Sequence, residues 1–319
     1  MEVFRTLPDV SERQPCGLTI GNFDGVHLGH QAMLARLRAT CSEARLPMAV
    51  LTFEPHPREY FAVRHGREAP PRISVEADKL AALELAGVDR VCVLPFDDEL
   101  AGTDARDFVE HILVEGLAAR ELLIGDDFRF GAARAGDFAL LRELAAGRYR
   151  VSRMETIDDA SGQRFSSSLV RNALADGDLD RARQLLGRPY AITGPVVHGR
   201  KLGRTLGFPT LNIRFGKARP ALSGIFVVRV HGIAGGPWPA VASLGTRPAV
   251  ETNGELLLEV HVFDFSREIY GERVRIEFLR KLRDERGFDS LDALREQIAD
   301  DAARARAYFA SPQDPDGQA

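Results

Sequence analysis

The chain has 319 residues and a formal net charge of −4 at pH 7, with 45% hydrophobic and 28% charged residues. These are ordinary values for a folded globular protein, so they exclude a chain that is disordered throughout. The length predicts about two domains. No apolar run approaches the roughly 18 residues that a membrane span requires, and the charge balance provides no general attraction for nucleic acid or an anionic membrane. We therefore expect neither as a partner.

The three cysteines, Cys16, Cys41 and Cys92, are far apart in the sequence. An odd and scattered set does not form a disulfide framework, and it indicates a reducing compartment. The first residues lack the apolar core of a signal peptide. We therefore expect a cytoplasmic protein.

Up to about residue 150, apolar segments rich in β-forming residues alternate with amphipathic helical patterns. This alternation is typical of a parallel α/β sheet, which binds ligands at the carboxyl ends of its strands. We predict such a Rossmann-like domain over residues 1–186. The predicted strands are residues 18–23, 48–53, 90–96, 121–124 and 149–154, and the predicted helices are residues 30–44, 75–86, 105–117 and 137–146.

The most informative segment follows the first of these strands and reads GNFDGVHLGH from residue 21 to 30. Backbone N–H groups at a strand-to-helix turn favour phosphate, and glycines let a ligand approach the backbone. His27 and His30 share one face of a helical turn and can donate hydrogen bonds to charge that grows on an α-phosphate. For a single histidine, an ordinary helix-cap role is the better interpretation, but the pair in this context favours catalysis. The predicted nucleotide contacts here are Gly21, Asn22, Phe23, Asp24, Gly25 and Gly29.

Three more segments follow later strands of the same predicted sheet. They read TFEPHP at 52–57, GDDFRFG at 125–131 and FSSSLVR at 165–171. Serine hydroxyls and an arginine near a helix start can hold the β- and γ-phosphates of ATP. The aromatic segment can stack a flat ring, although core packing behind a turn explains Phe128 and Phe130 equally well.

After about residue 187 glycine and proline recur, and the apolar runs become short. That pattern predicts a small antiparallel β-barrel over residues 187–310, closed by a helix at 290–309 that Ser290 caps. A short helical linker at 177–187 precedes it, and the tail at 311–319 is predicted to be disordered. The predicted barrel strands are residues 190–197, 224–230, 240–244, 256–265 and 274–279.

The stretch from residue 181 to residue 250 contains eleven Lys or Arg residues and no Asp or Glu. This bias is either a chance property of the surface or a site for a polyanion such as ATP, and the interleaved Gly and Pro argue against nucleic acid. Within it, HGRKLGRTLGFPTLN runs from residue 198 to 212, and the side-chain oxygens of Thr210 and Asn212 suit Mg²⁺. The nucleotide contacts predicted here are His198, Gly199, Lys201, Gly203, Arg204 and Pro209.

Phosphoryl transfer to a hydroxyl needs a group that orients or deprotonates it, and the basic stretch offers no carboxylate. Glu251, Glu255 and Glu259 come next in the chain. Glu259 lies in the apolar run LLLEVHVF, where strand alternation puts it on the same face as His261 and Phe263. A carboxylate inside an apolar strand is costly unless it has a partner or a function, so we predict Glu259 to be the catalytic base. A satisfied glutamate at the open end of a barrel is the alternative.

Together these segments resemble the bacterial bifunctional riboflavin kinase/FAD synthetase family. The shared motifs occur in the expected order over residues 18–309. They are GNFDGVHLGH, TFEPHP, GDDFRFGxxRxGD, LGRPY, HGxxLGRTLGFPTxN, LEVHVFDF, IYG and KLRDE.

The resemblance implies a nucleotidyltransferase-like FMN adenylyltransferase domain followed by a riboflavin kinase barrel. Riboflavin and ATP would give FMN, and FMN and a second ATP would give FAD and pyrophosphate, both with Mg²⁺. We expect a monomer or weak oligomer. Carried over by motif, the catalytic residues would be His27, His30 and the base Glu259. The ATP contacts would be Asn22, Ser167 and Arg171, and the flavin contacts would be Asp127, Phe128, Arg134 and Asp137. Thr210 and Asn212 would hold Mg²⁺ and phosphate.

The sequence departs from the family pattern at Phe226, Ala249 and Arg200, where Tyr, Thr and an acidic residue are common. Three alternatives stay open: retention of only one activity, which these departures favour, a flavin-binding regulatory protein, and a tRNA-charging enzyme with the same HxGH element. A tRNA-charging enzyme is disfavoured because no KMSKS-like segment is present. Decay to a regulatory protein is disfavoured because the predicted catalytic and Mg²⁺-binding side chains are all retained.

Overall fold

The computed structural model describes residues 1–155, 162–199, 203, 206–215, 218–246 and 256–311. The chain divides into two compact units. The first comprises residues 1–70 and 79–166, and the second comprises residues 71–78 and the chain from Ser167 onward.

The first unit is built on a parallel six-stranded sheet in the order β1-β4-β3-β2-β5-β6. Its strands are β1 (Glu2–Phe4), β2 (Cys16–Ile20), β3 (Met48–Glu54), β4 (Arg90–Pro95), β5 (Ala119–Gly125) and β6 (Arg150–Met154). The helices along this part of the chain are α1 (Leu28–Ala44), α2 (Pro57–Arg64), α3 (Glu76–Leu85), α4 (Asp98–Gly102), α5 (Ala105–Asp107), which continues as a π-helix (Phe108–Gly116), and α6 (Phe138–Ala145).

Both faces of this sheet are covered, because alternate residues of one strand belong to different apolar clusters. Leu51 of β3 packs with one cluster and Val50 with the other. The strand order reverses beside β2, which lies between β3 and β5. In open α/β sheets, ligands bind outside the carboxyl ends of the strands at such a switch point. The turn that follows β2 therefore occupies the position where a ligand is expected.

The second unit is a nearly closed antiparallel barrel in the order β7-β12-β9-β10-β11-β8. A bridge between Val197 and Asn212 brings its two ends together. Inside the barrel, the Phe278 ring contacts the rings of Tyr190 and Phe226. The elements are α7 (Ser167–Asp176), α8 (Leu179–Leu186), β7 (Ala191–Pro195), β8 (Leu211–Arg214), β9 (Gly224–His231), β10 (Trp238–Thr246), β11 (Leu256–Val262), β12 (Arg273–Arg283) and the C-terminal helix α9 (Leu291–Phe309).

The predicted fold class, a parallel α/β domain followed by an antiparallel barrel and a helix, is confirmed. The first predicted strand, at residues 18–23, was placed too late in the chain, because β2 begins at Cys16, ends at Ile20 and is followed by a turn. The elements β1, α2, α4 and β8 were missed. The predicted tail at 311–319 lies outside the described residues from position 312 onward, and the predicted division at 186/187 stays a prediction.

A segment from the N-terminal half, Pro71–Asp78, belongs to the second unit. The Arg72 N–H donates to the Arg219 carbonyl at 2.7 Å, and the Ala221 N–H donates to the Arg72 carbonyl at 2.9 Å. The Thr193 N–H donates to Asp78 Oδ2 at 3.0 Å, while burial raises the pKa of Asp78. This segment is therefore joined to the barrel by hydrogen bonds that no sequence pattern indicated.

One buried ion pair joins α9 to the end of β12. Arg283 Nε donates to Asp301 Oδ1 at 3.0 Å and its Nη2 donates to Oδ2 at 2.7 Å, with Asp301 3% exposed. Asp301→Ala leaves a largely buried guanidinium without this carboxylate, which should lower the free energy of unfolding by about 3 kcal/mol. Denaturant unfolding followed by the fluorescence of the single tryptophan, Trp238, measures the change in this unit.

A matched control lies one residue away. Asp300 makes a long, exposed contact of 3.8 Å with Arg304. Asp300→Ala should change the free energy of unfolding by less than about 0.5 kcal/mol. Equal losses in the two variants would contradict a special role for the Asp301 pair.

Candidate active sites

The turn between β2 and α1 has an unusual backbone. Phe23 and Val26 have φ of 48° and 41°, in the left-handed region that favours glycine. Val26 is β-branched, so this conformation is strained and persists only because its surroundings hold it. Strain of this kind concentrates at functional sites.

The two predicted catalytic histidines lie together at the end of this turn. His27 precedes the first residue of α1, and its ring stacks on His30 with centroids 3.8 Å apart. The Phe23 ring lies 4.9 Å from the His30 ring. Gly29 is required beside them, since a Cβ there would lie 3.0 Å from Phe165 Cβ and 3.2 Å from the His27 ring.

The half-buried His30 ring is poised as a neutral donor. Burial, and then the charge of His27, hold the pKa of His30 well below its usual range. Within the described part of the chain, no group hydrogen-bonds to His30 Nδ1. A buried polar atom without a partner calls for an explanation, and a bound ligand is the natural one at a switch point.

The depressed pKa of His30 predicts how stability depends on pH. Below pH 6.5, His30 of the unfolded chain binds a proton, whereas His30 of the folded protein stays neutral. The free energy of unfolding of the first unit should therefore decrease as pH falls. The expected slope is about 1.4 kcal/mol per pH unit for one proton. Hydrogen exchange of α1 amides from pH 7 to 5 measures it, and His30→Gln should show a smaller slope. If stability fell with pH at the same rate in the wild-type protein and in His30→Gln, His30 would not be the source of the pH dependence.

The predicted flavin residues lie between β5 and α6. A cavity of about 530 Å³ opens there, which is within the usual range for small-molecule sites, and it is lined in part by Phe128, Asp137 and Arg153. Phe130 is buried in the core, where its ring lies 5.4 Å from that of Phe108, so core packing is the correct interpretation for it. Phe128 is half-buried and stacks on Phe130 at 5.6 Å.

The other predicted flavin residues have local roles as well. Asp137 caps α6 by accepting from the Leu140 N–H at 3.1 Å, which, with Arg129 nearby, lowers its pKa. Asp127 pairs with Arg164 at 3.3 Å. Neither Asp127 nor Arg134 is among the residues that line the cavity. Their flavin contacts therefore stay predictions.

Ser167 and Arg171, the predicted ATP contacts, lie on α7 in the second unit. Arg171 Nε donates to the Pro71 carbonyl at 2.8 Å. One of the guanidinium donors is thus already used to hold the segment Pro71–Asp78. Their contact with ATP stays a prediction.

In the barrel, two predicted site residues face each other across neighbouring strands. Glu259 of β11 pairs with Asn212 of β8 on one side and with Ser243 of β10 on the other. Directly opposed residues put their side chains on the same face, with Cβ atoms about 5 Å apart. The antiparallel register therefore brings the predicted base beside a predicted Mg²⁺ ligand.

The Asn212 amide is buried and fits a metal or phosphate ligand. Its Nδ2 donates to the Thr210 carbonyl at 3.3 Å, whereas its Oδ1 has no hydrogen-bond partner among the residues that the structure describes. A Cβ on Gly199 would lie 2.5 Å from Asn212 Nδ2, so only glycine allows this approach. An amide oxygen of this kind suits Mg²⁺.

The environment of Glu259 differs from the predicted one in two ways. Glu259 is half-buried, so it does not bear the cost of complete burial. It also has a second carboxylate near it, Glu285, whose pKa is raised by burial and also by the charge of Glu259. Ser243 Oγ donates to Glu285 Oε1 at 3.5 Å. Glu285 is the last residue of the KLRDE motif, and no sequence pattern indicated a role for it.

Aromatic and polar groups surround this face of the barrel. His261 Nδ1 lies 2.8 Å from the Pro209 carbonyl, and its ring contacts those of Phe208 and Phe263. Glu259 and His261 are two residues apart within β11, so they lie on the same face of the strand as predicted, whereas Phe263 comes just after the strand ends. The His198 ring lies 3.8 Å from that of Tyr270, a neighbour that sequence analysis did not identify. The predicted residues Lys201 and Arg204, and the departures at Arg200 and Ala249, lie outside the described residues.

The fold and the two candidate sites are those of a class of proteins, the nucleotide-dependent transferases, with a nucleotidyltransferase-like unit and a kinase-like barrel. A family model for FAD synthetase matches residues 9–169, and one for riboflavin kinase matches residues 186–309. The chain belongs to the family of bifunctional riboflavin kinases/FMN adenylyltransferases. This confirms the resemblance and disfavours the tRNA-charging alternative.

Two curated relatives carry the name bifunctional riboflavin kinase/FMN adenylyltransferase. The Haemophilus influenzae protein is 47% identical over 98% of this chain and 100% of its own length. The Escherichia coli K12 protein is 42% identical over 97% of this chain and 98% of its own. A solved structure, described as a macrolide-efflux protein from Streptococcus pneumoniae, matches with a TM-score of 0.74 and 29% identity over 95% of this chain and 98% of that one. In the described parts of the present chain, no helix has the length and hydropathy of a membrane span.

Proposed function

We propose that this chain makes FAD from riboflavin in two ATP-dependent steps. In the first, the γ-phosphoryl group of ATP passes to the ribityl 5′-hydroxyl of riboflavin, which gives FMN and ADP. In the second, the FMN phosphate attacks the α-phosphorus of another ATP, which gives FAD and releases pyrophosphate. The observation that carries the proposal is that the two units hold different constellations: stacked histidines after a strained turn in one, and Asn212 beside Glu259 in the other.

In the kinase step, Glu259 accepts the proton of the attacking hydroxyl. Its half-buried position leaves it accessible to a substrate, and the strand register holds it beside Asn212. Thr210 and Asn212 hold the nucleotide phosphates and Mg²⁺, and the ion, when bound, offsets phosphate charge that develops during transfer. His198, Gly199, Lys201, Gly203, Arg204 and Pro209 form the rest of the nucleotide site.

In the adenylyl step, His27 and His30 donate hydrogen bonds to the oxygens of the α-phosphate as charge grows there. A neutral His30 keeps its ring proton for donation throughout the neutral pH range. The amides of the turn at 21–25, together with Asn22, Ser167 and Arg171, hold ATP. Asp127, Phe128, Arg134 and Asp137 hold the flavin, and of these four Phe128 and Asp137 line the cavity before α6.

The proposal also assigns each activity to a part of the chain and gives the protein a compartment, an oligomeric state and partners. Residues 1–186 carry the adenylyltransferase and residues 187–310 the kinase. The protein works in the cytoplasm as a monomer or weak oligomer, with small molecules and not nucleic acid or membrane as its partners. The net charge of −4 and the absence of long apolar runs in the sequence support the last point.

A chromatographic time course of the purified protein with riboflavin, ATP and Mg²⁺ tests the proposal. FMN should form first and FAD later. FMN alone would support the barrel site and contradict the adenylyl step. If neither product forms, FMN is supplied with ATP: FAD would then identify a one-activity enzyme, and no FAD would favour a flavin-binding regulatory protein.

A further inference from the structure

Lys79 is singled out by both composition and burial. Four of the 42 basic residues in the chain are lysines, and Lys79 is the only one in residues 1–200. Its side chain is nearly completely buried, at 2% exposure. A buried ammonium group is costly unless partners hold it or a function requires it. Lysine suits a confined polar space because its ammonium is compact, whereas arginine presents a wide planar fork.

The lysine is held in a buried polar group that we call the Lys79 cluster, formed by Thr52, His56, Glu59 and Lys79. Lys79 Nζ donates to Thr52 Oγ1 at 3.4 Å and lies 3.5 Å from His56 Nε2. On the other side of the ring, His56 Nδ1 lies 3.7 Å from Glu59 Oε1. The His56 ring therefore lies between Lys79 and a buried carboxylate, and a partner of this kind lowers the cost of burying a cation.

The Lys79 cluster reaches the strained turn through one hydroxyl. A threonine hydroxyl has one proton to donate. Since Lys79 donates to the Thr52 oxygen, the Thr52 proton is directed elsewhere, and Thr52 Oγ1 donates to the Asn22 carbonyl at 3.3 Å. Asn22 directly precedes Phe23, one of the two strained residues. A strained turn needs such external contacts to keep its conformation.

We propose that Lys79 is a positioning residue of the adenylyltransferase site, an inference that rests on the proposed function of the first unit. Its ammonium directs the Thr52 hydroxyl to the Asn22 carbonyl. This bond keeps the turn in the conformation that presents its amides and the adjoining His27 to the triphosphate. Lys79 does not touch the substrate, and it acts through Thr52.

The test compares Lys79→Met, Thr52→Val and the double variant in FAD formation from supplied FMN and ATP. Each single variant should lower kcat/KM for ATP about 10- to 100-fold, as expected when a reacting group is displaced slightly. KM for FMN should stay within twofold. The double variant should be no worse than the poorer single variant, because both changes remove the same link.

Matched controls separate positioning from folding and from the proposed function itself. Thr19→Val removes another buried threonine hydroxyl of the sheet, one that contacts Met33 Sδ at 3.2 Å, and it should leave adenylylation within about twofold. Riboflavin phosphorylation should be unchanged in every variant. Wild-type protein that makes no FAD from FMN would refute the proposed function and the lysine inference with it.

Two outcomes overturn the inference while leaving the proposed function intact. One is a folded Lys79→Met protein with wild-type adenylylation. The other is a double variant whose loss equals the product of the two single losses. If Lys79→Met does not fold, Thr52→Ser and Thr52→Val decide: the serine variant keeps the hydroxyl and should keep activity, and equal activities of the two would overturn the inference.

Discussion

His30→Ala should lower the rate of FAD formation from FMN and ATP by at least about 100-fold, the usual cost of removing a donor to a developing oxyanion. The same preparation should phosphorylate riboflavin at the wild-type rate, because the kinase groups belong to the other compact unit. Chromatographic assays with supplied FMN and with riboflavin measure the two rates separately.

The surface histidine His111 offers the matched control for this loss. It pairs with Glu115 at 2.9 Å in an exposed position of the same unit. His111→Ala should retain both activities. Loss of both activities in a folded His30→Ala protein would contradict independent sites, and wild-type FAD formation would remove His30 from the catalytic role.

Glu259→Gln should reduce FMN formation by roughly 100- to 10,000-fold, the range expected when a general base is removed. The amide keeps the size of the side chain but cannot accept the hydroxyl proton. Supplied FMN should still be converted to FAD. The measurement is the initial rate of FMN appearance from riboflavin and ATP.

Two further variants make this result specific. Glu272→Gln changes an exposed glutamate of the second unit and should leave both rates unchanged. Glu285→Gln tests the carboxylate close to Glu259, and its loss should be the smaller of the two. A greater loss at Glu285 would transfer the role of base to it, and an unimpaired kinase rate in Glu259→Gln would exclude Glu259.

The parts of the fold that could be predicted are those that local pattern dictates. The strands β3, β4 and β6 are apolar or β-rich runs between helical patterns, and their positions were predicted closely. The three-residue β1 and the four-residue β8 were missed because a run that short has no measurable alternation. The helix α2 begins at Pro57, the last residue of the TFEPHP motif, and no helical pattern was recognised there.

In the candidate sites too, features set by local sequence could be predicted, whereas features set by long-range contacts could not. The adjacency of His27 and His30 follows from helical spacing and was predicted. The pairing of Glu259 with Asn212 depends on a long-range strand register, which no local pattern specifies. The burial of Lys79 could not be predicted for the same reason, because its neighbours Thr52 and His56 come from a different strand and turn. The only available signal was its rarity in an arginine-rich chain.

The segment Pro71–Asp78 has a consequence for how this gene can be divided. Its backbone belongs to the barrel, although it is encoded within the first half of the chain. A fragment that starts at residue 187 would lack the acceptors for the buried Ala221 amide and for the Thr193 amide. An unmet buried donor costs about 1 to 3 kcal/mol. The two halves are therefore not modules that a single recombination crossover can exchange, since a transplanted kinase half needs a short peptide from the other parent.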